Sequence, residues 1–244
     1  MSVKFQLNLY MLTALGTKYL CGSIPREEEG YSYVGGTIFY IDDTSQEEVE
    51  FFDQHGEIME DVGVGSRPFA YQVITPDPNG KKKYYVFYPQ LWGSKRWTWY
   101  DTESDPENPS YVYESLGTTN AIGSGKANTD LVMAADSGKY VTDNSNGVAT
   151  IWYIIKQMRD GLYGGCDDWF VGSRAELDEL RKFMAANPTV LAELGITNWF
   201  SSSYIWSSAE NSAQTAWAWD YNYQYWNDNY KSYSYFSVCG VRAF

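Results

Sequence analysis

Histidine, cysteine and positive charge are all scarce in this sequence, and each shortage removes a class of function. There is one histidine, His55, in 244 residues. It lies in an acidic segment with no Ser-His-Asp or Cys-His arrangement around it, so it reads as a surface residue rather than a catalytic base. Three cysteines, Cys21, Cys166 and Cys239, are too few and too scattered for a disulfide framework or a zinc site. They read as buried thiols, unless the fold brings Cys166 and Cys239 together to pair. Against 31 acidic residues stand 18 Lys and Arg, a net charge of −13. A nucleic-acid backbone is repelled by that surface, which excludes nucleic acid as a partner. The one basic run, Lys81 to Lys83, adjoins a turn and reads as solvated. Long apolar runs are missing too. Residues 7 to 20 are interrupted by Asn8, Thr13, Gly16 and Lys18 with no basic region before them, so neither a leader nor a membrane span is expected. The expectation is a soluble protein with no membrane insertion.

The order of elements points to an α+β fold. Residues 1 to 30 read as a lead-in that ends in Glu27-Glu28-Glu29-Gly30, and residues 31 to 244 as one domain. Gly35 to Ile41 reads as a strand after glycines, and residues 42 to 66 as an acidic, exposed excursion. Tyr84 to Tyr88 reads as a second strand stopped by Pro89, and residues 101 to 110 as a loop around Pro106 and Pro109. Two helices follow. Val148, Ile151, Trp152, Ile155 and Met158 recur at helical spacing, with Asn146 to cap the start and Gly161 the end. Ser173-Arg174-Ala175-Glu176 spells a capping box, Leu177, Leu180 and Met184 supply a buried stripe, and Asn187-Pro188 stops the helix. A last turn ends at Gly195. The helical pattern then vanishes and alternation takes over, which places antiparallel strands at the end of the chain.

That last stretch carries most of the functional signal. Aromatic residues make up 18% of the chain, 22 of them tyrosines, well above an ordinary soluble protein. Trp217, Trp219, Tyr221, Tyr223 and Tyr225 alternate with polar or small residues and so predict one aromatic strand face. Asn227-Asp228-Asn229 predicts a turn. Tyr233 and Tyr235 resume the alternation, and Val238 to Phe244 reads as a closing strand. Tyrosine and tryptophan offer large rigid contact area, while serine and asparagine adapt their hydrogen bonds; antibody paratopes share this composition. Such a face is either core or meets a partner. Core and partner stand level for Trp217 and Trp219, while a partner is the stronger alternative for Tyr221 to Tyr235, because no aliphatic residues accompany those tyrosines. Trp206 reads as core, and Glu210 as a residue that orients a loop. The candidate ligand-binding residues are Tyr204, Asn211, Trp219, Tyr221, Asn222, Tyr223, Tyr225, Asn227, Asn229, Tyr230, Tyr233 and Tyr235.

Several motifs mislead. Gly123-Ser124-Gly125-Lys126 suggests a phosphate loop, but Asn120 and Ala127 stand where that loop needs Gly and Ser or Thr. Trp226-Asn227-Asp228 spells part of a calcium-dependent sugar site without its companion motif; Glu107-Asn108-Pro109 has the wrong order. Asp167-Asp168, or Asp220 with Asp228, would suit a glycosidase only at a separation that sequence does not supply. No catalytic residue, metal ligand or cofactor is expected.

Five segments together resemble a known family. Gly35 to Asp42 is similar to its opening strand, Ile122 to Thr129 to its "GTGxANT" segment and Asp168 to Leu177 to its "DWFLPSKxEL" segment. Trp206 to Glu210 is similar to "WSSSE", and Val241 to Phe244 to the closing "VRAF". The family is the group of bacterial and phage proteins of C-type lectin fold related to the Lcl C-terminal domain. It includes the variable proteins of diversity-generating retroelements, in which template adenines are miscopied into the end of the gene. The resemblance spans about residues 33 to 244 and implies small antiparallel sheets with two helices and a variable region over about residues 199 to 244. It departs from the family at Gly172 (usually Pro), at Ile205 (commonly aromatic), and at Ser237 and Cys239 (frequently Arg). Asp220 to Asn222, Tyr223, Tyr225, Asn227 to Tyr230 and Ser232 to Tyr235 are reachable from AAC or AAT template codons; Trp217, Trp219, Gln224, Trp226 and Lys231 are not. The resemblance implies a non-enzymatic binder on a phage tail or bacterial cell surface whose partner is a cell-surface protein or glycan receptor. The alternative is a glycan-binding, lectin-like module of fixed specificity. Formylglycine-generating enzymes share a related fold, but their paired-cysteine motif has no match here.

Overall fold

The computed structural model describes residues 31–104, 107, 110–142, 148–196, 204–221 and 223–244. The lead-in and the Asn146 cap lie outside them. Seven strands come first: β1 (Ser32–Tyr33), β2 (Thr37–Ile41), β3 (Glu48–Phe52), β4 (Ala70–Thr75), β5 (Tyr84–Lys95), β6 (Tyr100–Asp101) and β7 (Ser110–Tyr111). The helical part holds α1 (Gly125–Ala134), α2 (Lys139–Thr142), α3 (Ile151–Asp160), short β8 (Phe170–Val171), α4 (Arg174–Ala186) and α5 (Pro188–Glu193). Four strands close the chain: β9 (Tyr204–Glu210), β10 (Thr215–Asp220), β11 (Tyr225–Tyr230) and β12 (Phe236–Ala243). Among the described residues the architecture is mixed α+β with three sheets, and every strand pairing is antiparallel except β12 with β9. The largest sheet runs β11-β10-β9-β12-β5-β2, with β8 on β12, and a smaller one runs β1-β4-β3.

The central strand β12 separates two cores because its side chains alternate. Phe236 and Val238 face a cluster with Trp97, Trp152, Trp169 and Trp206 beside α3. Cys239 and Val241 face a cluster with Leu177, Leu180, Phe183 and Met184 of α4. Phe244 exchanges both backbone hydrogen bonds with Tyr84 and stacks on Tyr71 at 3.8 Å. Arg242 reaches from β12 to the backbone carbonyls of Tyr33 and Val34 and to Asp168, tying the small sheet to the large one.

The expected capping box is present: the Ser173 hydroxyl accepts from the Glu176 N–H, and the Glu176 carboxylate accepts from the Ser173 N–H at 2.7 Å. Gly161 ends α3 as expected, whereas its N-cap is Thr150, whose hydroxyl accepts from the Tyr153 N–H at 3.0 Å. Other expectations are corrected. Pro89 does not end its strand; β5 continues to Lys95 because the register with β12 shifts between Cys239 and Val241, and a bulge tolerates proline. Residues 42 to 66 are not only an excursion, since they contain β3, whose Phe51 and Phe52 are buried. There are more than two helices: the Gly-Lys-Ala-Asn-Thr segment opens α1, which packs on β8 and β9. Cys166 and Cys239 sit in different clusters on opposite sides of the sheet, so no disulfide joins them.

Candidate ligand-binding surface

The β10–β11 hairpin has two unlike faces. Its register pairs Trp217 with Asp228, Trp219 with Trp226 and Asp220 with Tyr225. Directly opposite residues share a face, so Trp217, Trp219 and Trp226 lie on one side and Asp220 and Tyr225 on the other. The expected single aromatic face from Trp217 to Tyr225 is therefore broken. β10 ends at Asp220 and β11 starts at Tyr225 in the opposite direction, and between them Gln224 adopts a left-handed φ of 55°. The turn expected at Asn227-Asp228-Asn229 is instead the middle of β11, because cross-strand tryptophan pairing fixes the register there.

The tryptophan face is packed. Helix α4 carries Arg174 and Arg181 two turns apart on one side. The Arg174 guanidinium lies 4.2 Å from the Trp217 ring and that of Arg181 4.8 Å from the Trp219 ring. Trp219 meets Trp226 edge-on at 5.5 Å. Tyr221 tucks in beside Arg181 and Cys239, and burial pushes its phenol well above the ordinary range. Trp219 and Tyr221, expected on the binding face, belong to this packing under α4.

The other face presents tyrosines to solvent. Tyr204 in β9 pairs with Asp220 in β10, which pairs with Tyr225 in β11, so the three form a transverse row. The Asp220 carboxylate beside the Tyr204 hydroxyl pushes that phenol up to about 12. Tyr204 stacks on Phe236 of β12 at 4.3 Å, and Phe236 also touches Tyr235 at 4.7 Å. Tyr233 and Tyr235 stack on each other at 5.4 Å. Tyr230 pairs with Thr215 and so belongs to the tryptophan side by register, yet its exposed ring at the strand end meets Tyr233 edge-on at 5.8 Å. At the turn, Tyr223 lies 6.2 Å from Tyr225. Tyr223 is 74% and Tyr235 60% exposed, and Tyr225 and Tyr230 are also exposed. Phe236 is fully buried, so it forms the floor beneath the tyrosines.

The asparagines scatter. Asn211 is exposed and donates to Asp228 at 3.0 Å, outside the tyrosine row. Asn227 is half-buried on the tyrosine side, while Asn229 is buried. Asn222 lies outside the described residues.

Sequence reasoning missed the frame under this surface. Lys231, between Tyr230 and Tyr233, has a fully buried side chain. Its ammonium donates to Glu210 at 2.5 Å and to the Glu114 carbonyl at 2.7 Å and sits 4.3 Å from the Trp97 ring. Burial pulls the Lys231 pKa down, and the Glu210 carboxylate partly restores it. Glu210 also accepts from the N–H groups of Leu116 at 3.0 Å and Thr118 at 3.3 Å, which is the loop-orienting role expected of it. Tyr113 from the same loop donates to Ser232 at 2.8 Å. The signal for Lys231 was present, since a lone lysine inside a Tyr-Asn-Ser run breaks the composition.

The misleading motifs resolve geometrically. Asp220 and Asp228 point to opposite faces of the hairpin and do not form a carboxylate pair. The same alternation divides Asn227 from Asp228. In the glycine loop, the Gly123 N–H donates to the Glu176 carboxylate at 2.9 Å, so a protein carboxylate occupies the place of a phosphate. No group of three or more His, Cys, Asp or Glu side chains among the described residues is placed to hold a metal. No described helix is long and apolar enough to cross a membrane. No protein-family model matches the chain, and no curated protein matches it.

Proposed function

We propose that this protein is a non-enzymatic ligand-binding protein of C-type lectin fold, and that its tyrosine face is the binding surface. We assign it to the variable proteins diversified by retroelements, displayed on a phage tail or a bacterial cell surface and directed at a receptor there.

One observation carries the reading. Within residues 217 to 235 the adenine-reachable tyrosines Tyr223, Tyr225, Tyr230 and Tyr235 are exposed, whereas the unreachable Trp219 and Lys231 are buried. The unreachable Trp217 and Trp226 pack on Arg174. Positions free to change thus face solvent, and positions that cannot change hold the frame. The division has exceptions: Gln224 is unreachable yet exposed, Asp220 and Asn229 are reachable yet buried, and reachable Tyr221 packs under α4. A rigid frame under exposed tyrosines also lowers the entropic cost of binding.

The test is to compare this locus with its flanking DNA across many isolates. A nearby near-copy of codons 199 to 244 that differs only at adenines, beside a reverse transcriptase gene, is the expected result. An invariant segment with no repeat overturns diversification and leaves a lectin-like module of fixed specificity.

A further inference from the structure

The transverse row of the binding face continues past the tyrosines and ends on a cation. Tyr225, Asp220 and Tyr204 lead across the sheet to Phe236, and Phe236 pairs directly with Lys95 at the end of β5. Because paired residues share a face, the Lys95 side chain emerges on the tyrosine side. The site is anchored: the Trp206 indole N–H donates to the Lys95 carbonyl at 3.1 Å, and Trp206 packs on Phe236 at 4.5 Å. Lys95 is half-buried, and burial lowers its pKa with no carboxylate among the described residues to counter it. A desolvated ammonium without a counter-ion is costly, so a ligand anion that supplies one gains more there than at a solvated lysine. In a chain of net charge −13, a cation left without a carboxylate partner on the binding face is a local exception.

The row is also polar. Asp220 and Lys95 lie three strand spacings apart, about 14 Å, with Tyr204 and Phe236 between them. An anionic group is repelled at the Asp220 end and attracted at the Lys95 end, while the stacked rings of Tyr233 and Tyr235 and the half-buried Tyr204 offer flat faces between. Aromatic faces suit the C–H faces of sugar rings, and phenol hydroxyls suit sugar hydroxyls. The length suits an oligosaccharide better than a single ring.

Resting on the reading of the tyrosine face as the binding surface, we propose that its ligand is an acidic oligosaccharide whose carboxylate binds Lys95 while its rings lie on Tyr204, Tyr233 and Tyr235.

The experiment uses the full chain and a panel of matched acidic and neutral oligosaccharides, headed by sialyllactose against lactose and oligogalacturonate against its methyl ester. The expected result is binding to the acidic member of at least one pair that is about tenfold or more tighter than to its neutral partner. Lys95→Gln should erase that difference and Lys95→Arg should keep it, with both variants retaining the wild-type melting temperature. Tyr235→Ala should weaken both members of the pair. Equal binding of both members, unchanged in Lys95→Gln but lost in Tyr235→Ala, overturns the role of Lys95 and leaves the tyrosine surface standing. Absence of binding to every saccharide overturns the inference, while the locus comparison still decides the broader reading.

Discussion

The two faces of the β10–β11 hairpin use the same residue types for opposite ends. On one face Trp217, Trp219 and Trp226 lie under Arg174 and Arg181 of α4, and their rings contribute to cohesion of the fold. On the other, Tyr204, Tyr233 and Tyr235 pack on Phe236, and Tyr225 lies in the row with Asp220 and Tyr204. What separates the faces is the covering layer, and α4 covers only one side of the sheet. An aromatic residue here is core or contact according to what packs over it: on the tyrosine side Phe236 and Trp206 are fully buried while Tyr225 and Tyr235 are exposed.

Substitutions can break this comparison, and the largest effect should come from the frame that serves both faces. Lys231→Ala removes the partner of a buried carboxylate, so Glu210 is left charged inside the protein. The expected loss is about 3–5 kcal/mol in denaturant unfolding. A loss near zero would mean that Glu210 is solvated and that the loop from Leu116 to Thr118 is held some other way. Next is the covered face itself. Trp219→Ala should cost about 3 kcal/mol, since its ring is nearly fully buried against Trp226 and Arg181.

Helix α4 also carries a pH dependence. Burial lifts the Glu176 pKa from 4.5 to about 7, although the N–H groups of Ser173, Gly125 and Gly123 pull it down. The folded state therefore holds this proton more tightly than the unfolded chain. Its contribution to stability is full below pH 4.5 and is lost as pH rises through about 7. Glu176→Gln keeps the capping-box geometry and should flatten that part of the melting profile. A wild-type and variant difference that does not change across the window would show that Glu176 is ionised throughout.

The uncovered face should behave in the opposite way. Combined replacement of Tyr223, Tyr225 and Tyr235 by Ala should change stability by less than about 0.5 kcal/mol per site and abolish ligand binding. Unfolding of that variant would make the face part of the core. The smallest effect is local: Asp220→Asn should bring the Tyr204 phenol down from about 12 toward its ordinary value, read by tyrosinate NMR titration.

Much of the frame was legible in the sequence. Ser173 and Glu176 declare their capping box by spacing, and Trp206, expected as core, is fully buried. The strand from Val238 to Phe244 could be read from its apolar residues. The binding face was legible only in part. An unbroken period-two alternation from Trp217 to Tyr225 conceals a hairpin turn, because nothing in Tyr-Asn-Tyr-Gln carries the Gly or Pro that usually marks one. Helix α1 was hidden for a related reason: its opening glycine is explained only by Glu176 and Phe170 packed against it, where a Cβ would meet Glu176 Oε2 at 2.1 Å.

Composition by itself determined that this chain is acidic, rich in tyrosine near its end, and built of α and β elements, since those properties need only counting and local periodicity. Which tyrosines meet solvent was decided by tertiary structure. The register of β10 on β11, the position of α4 over one face, and the arrival of Phe236 beneath Tyr204 are long-range pairings. A side-chain period of two assigns a residue to a face only after the partner strand and the covering helix are in place.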